Sequence, residues 1–138
     1  MGKRRLWLCV APVAFCLLDA ALTLIGQPAT YWAGNYDYVE ELSPLSNWLL
    51  RQHPMAFGAG IAGWVLVFSI TLVSVPRRPA QAASVFIVLG HTFGAGTWLC
   101  DRILAGVWFL PLLWLVSAAA LVVTWEKAGV IEPPEGRA

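Results

Sequence analysis

Charged residues are scarce in this chain, and their scarcity limits the class of protein it can be. Only 12% of its 138 residues are Asp, Glu, Lys or Arg, whereas 59% are hydrophobic. A soluble domain carries about a quarter charged residues because its surface must be hydrated. The net charge of +1 comes with no basic stripe, so we expect no nucleic-acid partner. These absences exclude a soluble globular domain and leave the lipid bilayer as the expected surroundings.

Cysteine pairs and familiar enzyme motifs are missing as well. The three cysteines all lie in or at the end of apolar segments, where they act as small apolar side chains and not as a disulfide framework. The chain contains no HExxH, GxSxG, paired CxxC or glycine-rich phosphate loop. Whether the protein is an enzyme therefore stays open at this level, and function has to be inferred from the few polar residues within apolar segments.

What the chain does have is long apolar segments. Four of them suit the roughly 20 residues that a helix needs to cross a bilayer: 6–26, 55–75, 82–100 and 104–125. The predicted fold class is all-α, an integral membrane four-helix bundle that forms a single transmembrane domain over residues 1–126. Residues 127–138 are polar, rich in Pro and Gly, and predicted to be a disordered cytoplasmic tail.

Basic residues mark one side of the membrane. Lys3, Arg4 and Arg5 precede the first segment. Arg77 and Arg78 lie in the turn predicted between the second and third segments. Cytoplasmic loops are enriched in Lys and Arg, so we expect a multi-pass protein of the cell membrane with both termini in the cytoplasm, the arrangement called N-in/C-in.

The outer connection, residues 27–54, is much longer than the links usual between bundle helices. Ser43 followed by Pro44 is typical of a helix start, and His53 followed by Pro54 of a helix end or kink. The sequence therefore predicts a short helix over 44–52 at the outer membrane interface.

Asp19 is the most unusual residue in the chain, because it interrupts the apolar run CLLDAALT. An aspartate at the bilayer centre costs about 2.5–3.5 kcal/mol on insertion scales, so it requires an interior partner or protonation. Cys16, Asp19 and Thr23 recur at helical spacing on one stripe of small and polar residues. We expect this stripe to face the interior of the bundle while leucines face lipid.

His91 is the second polar residue within an apolar segment. Gly90 and Gly94 form a GxxxG pair around it, which favours close approach by another helix. At 1.5 Å per residue, Asp19 and His91 lie about 10 Å and 14 Å from the outer ends of their helices. We expect them to meet, whereas Trp64 in the second segment is assigned to packing.

Asp19, Glu41 and His91 form the candidate site. Two carboxylates and an imidazole suit a divalent transition metal that activates water, and without a metal the same three groups can relay protons. A third interpretation is a structural Asp19–His91 pair that holds two helices together. Thr23, Ser43 and Thr92 are expected as polar neighbours of the site.

The elements DAALT and ELSPL, within residues 19–49, resemble the D-x3-T and E-x-N-P-L signature of a family of small multi-helix membrane proteins from bacteria and archaea. The resemblance implies that Asp19, Thr23, Glu41, Ser43 and Pro44 are family-defining residues. Ser43 stands where that family commonly has asparagine. No activity is established for the family, so the resemblance supports a site and not a function.

Three functions remain open from the sequence. The first is a structural or accessory membrane protein with an Asp19–His91 polar pair, acting as a homo-oligomer or with a membrane-protein partner. The second is a membrane-embedded, metal-dependent, hydrolase-like enzyme that uses Asp19, Glu41 and His91. The third is a proton or small-solute carrier.

Overall fold

The chain is helical through most of the part that is described. The structure is a computed structural model and describes residues 3–102 and 106–129. It begins with a 3-10 helix, Lys3–Cys9, and no strand occurs among the described residues. Six α-helices follow within the described ranges: α1 (Val10–Ile25), α2 (Ala29–Trp32), α3 (Pro44–Gln52), α4 (Pro54–Ser74), α5 (Arg77–Arg102) and α6 (Gly106–Lys127).

In the part of the chain that the structure describes, four helical segments are long and apolar enough to cross a membrane. They are Arg4–Ile25, Pro54–Ser74, Arg77–Arg102 and Val107–Lys127. The first combines most of the 3-10 helix with α1, and the others correspond to α4, α5 and α6. The predicted fold class, an all-α protein with four helices of membrane-spanning length, is therefore confirmed.

Helix α5 begins earlier than the sequence suggested, at Arg77 and not near residue 82. Its first turn thus includes the basic residues that the sequence assigned to a turn. Pro79 does not prevent this, because an N–H in the first turn of a helix has no intrahelical partner to lose. The basic pair Arg77 and Arg78 consequently lies at the end of a helix that is otherwise mostly apolar.

The predicted short helix of the outer connection is present as α3. After it, His53 adopts extended backbone (φ 179°, ψ 150°), and α4 begins at Pro54. Nδ1 of His53 accepts a hydrogen bond from the Met55 N–H at 3.1 Å. This break separates α3 from α4 and lets the two helices pack against each other.

Helices α1 and α5 form the most extensive contact of the bundle. The stripe of small and polar residues on α1 faces inward, since Cys16 and Thr23 are buried. Leu17 and Ile25, on other sides of the same helix, are exposed. The expected orientation of α1 is thus the one observed.

Polar and apolar contacts hold together the end of the bundle where the basic residues lie. Arg5 donates from Nη1 to the carbonyl of Val73 at 2.9 Å, beside the start of α5. The ammonium of Lys127 lies over the Trp7 ring, 5.3 Å from its centroid. A buried apolar cluster fills this end and includes Leu8, Leu72, Ala80 and Ala128.

The end of α6 overlaps the first residues of the predicted tail. Lys127 is the last residue of the helix, and Ala128 is buried. Gly129 follows with φ of 69°, the left-handed conformation in which glycine commonly ends a helix. Residues 130–138, on which the rest of the tail prediction falls, lie outside the described residues.

Candidate functional site

Asp19 and His91 are in direct contact across the α1–α5 interface. Nδ1 of His91 lies 2.8 Å from Oδ2 of Asp19, and the two side chains are 18% and 21% exposed. A buried carboxylate is stable only when it is hydrogen-bonded or paired, and the imidazole provides that partner. The two polar residues singled out from the sequence are therefore brought together.

Gly94 makes this contact possible. A Cβ atom at position 94 would lie 2.6 Å from Oδ1 of Asp19, closer than non-bonded atoms pack. Gly90, the other half of the GxxxG pair, has nothing within 4 Å of its Cβ position and lines a cavity instead. Of the two glycines, only Gly94 is required by the close approach of α1 to α5.

Trp64 of α4 completes the site, although the sequence assigned it to packing. Its indole Nε1 donates to Nε2 of His91 at 3.1 Å. Because an indole N–H can only donate, Nε2 must be the accepting nitrogen, and Nδ1 must carry the proton that faces Asp19. The arrangement is a neutral imidazole that donates to the Asp19 carboxylate and accepts from Trp64.

The Asp19–His91 pair borders an open cavity of about 330 Å³ between α1, α4, α5 and the outer connection. Five of the six residues expected at or near the site line it: Asp19, Thr23, Glu41, Ser43 and His91. Aromatic rings form much of the remaining wall, from Phe57, Trp64, Phe86, Phe93 and Trp98. The pair is therefore reached from a space that a small molecule can enter, and is not sealed in a helix–helix contact.

Thr92, the sixth residue, does not line the cavity. Its side chain is fully buried, and its Oγ1 has no hydrogen-bond partner among the described residues. Neighbouring residues of an α-helix point about 100° apart, so Thr92 faces a different side of α5 from His91. It is no polar neighbour of the pair.

Gln27, which no sequence pattern singles out, holds the outer connection in place. Its side-chain amide accepts from the Glu40 N–H and donates to the Glu40 carbonyl, each at 3.0 Å. The same amide nitrogen donates to the Thr23 carbonyl at 3.0 Å. A single buried side chain thus ties the end of α1 to the segment that carries Glu41.

Glu41 lies where the outer connection meets the cavity. Its Oε1 accepts the Ser43 N–H at 2.7 Å, and its carbonyl accepts from Nδ2 of Asn47 at 2.9 Å. Burial, together with the negative charge of Asp19, raises the pKa of Glu41 above its ordinary value, although the hydrogen bond from Ser43 acts in the opposite direction. The charge of Asp19 therefore affects the ionisation of Glu41.

A second cavity of about 480 Å³ adjoins the first, and Glu41 borders both. Its other acidic lining residues are Glu40 and Asp101. Arg102 forms ion pairs with both of them and lies 5.7 Å from the centroid of the Trp98 ring. A single guanidinium is therefore shared by two of the three carboxylates that border the second cavity.

The described residues contain no group of three His, Cys, Asp or Glu side chains arranged to hold a metal ion. Both ring nitrogens of His91 are engaged by Asp19 and Trp64, so a metal would have to displace one of them. The donor geometry favours a proton-handling or structural pair over the predicted metal centre.

No protein-family model, no curated protein and no solved structure matches the chain. The described residues define its class: they are all-helical, include four helices of membrane-spanning length, and border a cavity lined by Asp19, Glu41 and His91.

Proposed function

We propose that the protein is a multi-pass membrane protein that binds a small polar solute from the outer side, with Asp19 and His91 as the acid–base pair of the site. The carrying observation is the cavity of about 330 Å³ that these two residues line. A pair that only held helices together would need no open space beside it. An acid–base pair that serves a solute requires such a space.

The proposed N-in/C-in orientation is supported by the distribution of charge. Arg5 bonds to the end of α4, next to Arg77 and Arg78 at the start of α5, so these basic residues gather at one end of the bundle. Lys and Arg favour the cytoplasmic side. The cavity and the outer connection then face away from the cytoplasm.

The family resemblance supports the same site. Four of the five residues that carry it, Asp19, Thr23, Glu41 and Ser43, line the cavity, and Pro44 begins the helix that follows. We propose that the chain belongs to that family. We also propose that the family signature marks the residues that line such a cavity.

Histidine NMR tests the proposed function with little ambiguity, because the chain contains only His53 and His91. In a His53→Asn variant labelled with ¹⁵N-histidine, His91 gives the only imidazole signals, and asparagine retains a helix-capping side chain. The expected result is a ring that is neutral and protonated on Nδ1 in alkaline buffer and that gains its second proton as the sample is acidified.

A ring that stays neutral throughout the acidification would overturn the proposal, since it would show a pair without access to water. The structural alternative is then favoured, and an Asp19→Asn, His91→Gln double variant should preserve fold and phenotype because amides still hydrogen-bond. Elemental mass spectrometry on the same samples tests the metal-enzyme alternative. Near-stoichiometric metal that disappears in His91→Ala would replace the present proposal.

A further inference from the structure

Negative charge predominates in the cavity of about 330 Å³. Asp19, Glu41 and His91 are its ionisable lining residues, and no Lys or Arg borders it in the part of the chain that the structure describes. His91 is neutral while it accepts the Trp64 N–H. The cavity therefore has a negative potential, which a low-dielectric membrane environment strengthens.

Both carboxylates retain capacity for a ligand. Oδ2 of Asp19 is bonded to His91, and Oε1 of Glu41 to the Ser43 N–H. No other side-chain donor among the described residues bonds to either group. An ionised carboxylate has about four acceptor sites, so each can accept a further hydrogen bond or contact a cation within the cavity.

The walls of the cavity suit a cation with an organic surface. Four aromatic side chains border it in addition to Trp98, whose ring already lies beside Arg102. They are Phe57, Trp64, Phe86 and Phe93. Aromatic faces attract ammonium groups, most strongly where water is excluded, whereas a strongly hydrated inorganic ion would lose its water against these rings.

We infer that the cavity binds an organic ammonium group, held by the carboxylates of Asp19 and Glu41 and bordered by aromatic side chains. This inference rests on the proposed solute-binding function and specifies its ligand class. The volume lies at the lower end of small-molecule sites, which span about 300–1,000 Å³, so the ligand is a small amine or a headgroup. Besides burial, the negative charge of Asp19 contributes to the raised pKa of Glu41. A bound ammonium group would relieve this repulsion between the two carboxylates.

Such a group has two sources, a free solute or the headgroup of a membrane lipid. The probe is choline, titrated into the 138-residue chain in phosphatidylglycerol nanodiscs and followed by saturation-transfer NMR. Its matched control is dimethylbutanol, in which a tert-butyl group replaces the trimethylammonium group without the charge. Empty nanodiscs give the background from the anionic lipid.

Saturable choline binding is expected, with dimethylbutanol at least about tenfold weaker because it lacks the positive charge that the carboxylates and aromatic rings attract. Glu41→Gln should weaken choline binding by a similar factor. Glu40→Gln removes the same charge from a residue that does not line this cavity, and should leave binding nearly unchanged. Replacing part of the lipid with phosphatidylcholine should lower the apparent affinity for choline if a headgroup is the occupant, and leave it unchanged if a free solute is.

Three outcomes overturn the inference: no saturable choline binding, equal binding of dimethylbutanol, or equal effects of the two glutamate substitutions. The first two use the unmodified protein, so they do not depend on the folding of a variant. Failure of the inference is distinguishable from failure of the proposed function. A His91 that titrates in a protein that does not bind choline indicates a solute site with a different ligand, whereas a His91 that does not titrate removes the solute-binding function itself.

Discussion

Trp64 donates its indole N–H to Nε2 of His91 across 3.1 Å, and this bond determines which ring nitrogen faces Asp19. The three residues come from α4, α5 and α1, so the chain Trp64–His91–Asp19 connects three of the four helices long enough to span a membrane. The acid–base properties of the site therefore depend on how these helices are packed.

Trp64→Phe is expected to remove the hydrogen bond to His91. It keeps an aromatic ring beside Phe68, whose ring centroid lies 5.6 Å from that of Trp64 in an edge-to-face arrangement. The free energy of unfolding should fall by about 0.5–1.5 kcal/mol, the net value of one hydrogen bond. The ¹⁵N shift of Nε2 in His91 should move as it loses its donor. Denaturation with sodium dodecyl sulfate in mixed micelles and histidine NMR measure the two effects.

Trp114→Phe is the matched control, because Trp114 also lies within a helix of membrane-spanning length and its side chain has no role in the site. A shift of the His91 signal in both variants, or equal losses of stability, would contradict the assignment of the hydrogen bond.

Gly94→Ala is expected to force α1 away from α5, because the new methyl group would meet the Asp19 carboxylate. Overpacking of this kind costs about 1–3 kcal/mol. Gly90→Ala places the same methyl group in open space and should be neutral, or stabilise the helix by up to about 1 kcal/mol. Unfolding curves of the two variants in the same detergent provide the comparison.

A double-mutant cycle identifies the atom responsible. In an Asp19→Ala background, Gly94→Ala should cost much less, since the carboxylate is no longer present. An unchanged cost would show that the methyl group clashes with something other than Asp19.

Much of the fold follows from local sequence. Apolar length alone predicts the four long helices, and Ser43-Pro44 with His53-Pro54 predicts the extent of α3. The contact between Asp19 and His91 can also be predicted from the sequence, because a charge within an apolar helix needs a partner. Both residues lie at comparable depth in their helices.

The remaining parts of the site depend on tertiary packing. An indole within an apolar helix has the same sequence signature whether it packs or donates, so only the position of α4 beside α5 shows that Trp64 bonds to His91. The role of Gln27 also cannot be predicted from the sequence. Its partners are backbone atoms of Glu40, and any residue at position 40 would provide the same carbonyl group. The position of Thr92 away from the site, in contrast, could have been predicted from the sequence. Adjacent residues of a helix point about 100° apart, so Thr92 and His91 face different sides of α5.

Gln27→Ala is expected to release the outer connection from α1. The variant loses both hydrogen bonds to the Glu40 backbone, and leaving buried groups unpaired costs about 1–3 kcal/mol. The Glu40 amide should exchange with deuterium faster than in the unmodified protein, because its acceptor is Oε1 of Gln27. Hydrogen exchange read by mass spectrometry locates the change.

Gln52→Ala serves as the control, since Gln52 is exposed at the end of α3. Faster exchange at Glu40 in this variant too would show a general loosening and not the loss of one anchor.

Glu41→Gln tests the electrostatics of the cavity through the dependence of stability on pH. Burial raises the pKa of Glu41 in the folded protein above the ordinary value of 4.5, so the folded state holds this proton more tightly than the unfolded state. The contribution of Glu41 to the free energy of unfolding therefore becomes less favourable as pH rises from about 4.5 through the folded-state pKa. On acidification the unmodified protein should gain stability relative to Glu41→Gln, which cannot titrate there.

The measurement is the difference in unfolding free energy between the two proteins at several pH values, because subtraction removes the other titrating groups. Asp37→Asn, which alters an exposed carboxylate of the same connection, is the control and should not reproduce this pH dependence. A difference between the unmodified protein and Glu41→Gln that stays constant with pH would place Glu41 in water, and would remove one of the two carboxylates on which ammonium binding depends.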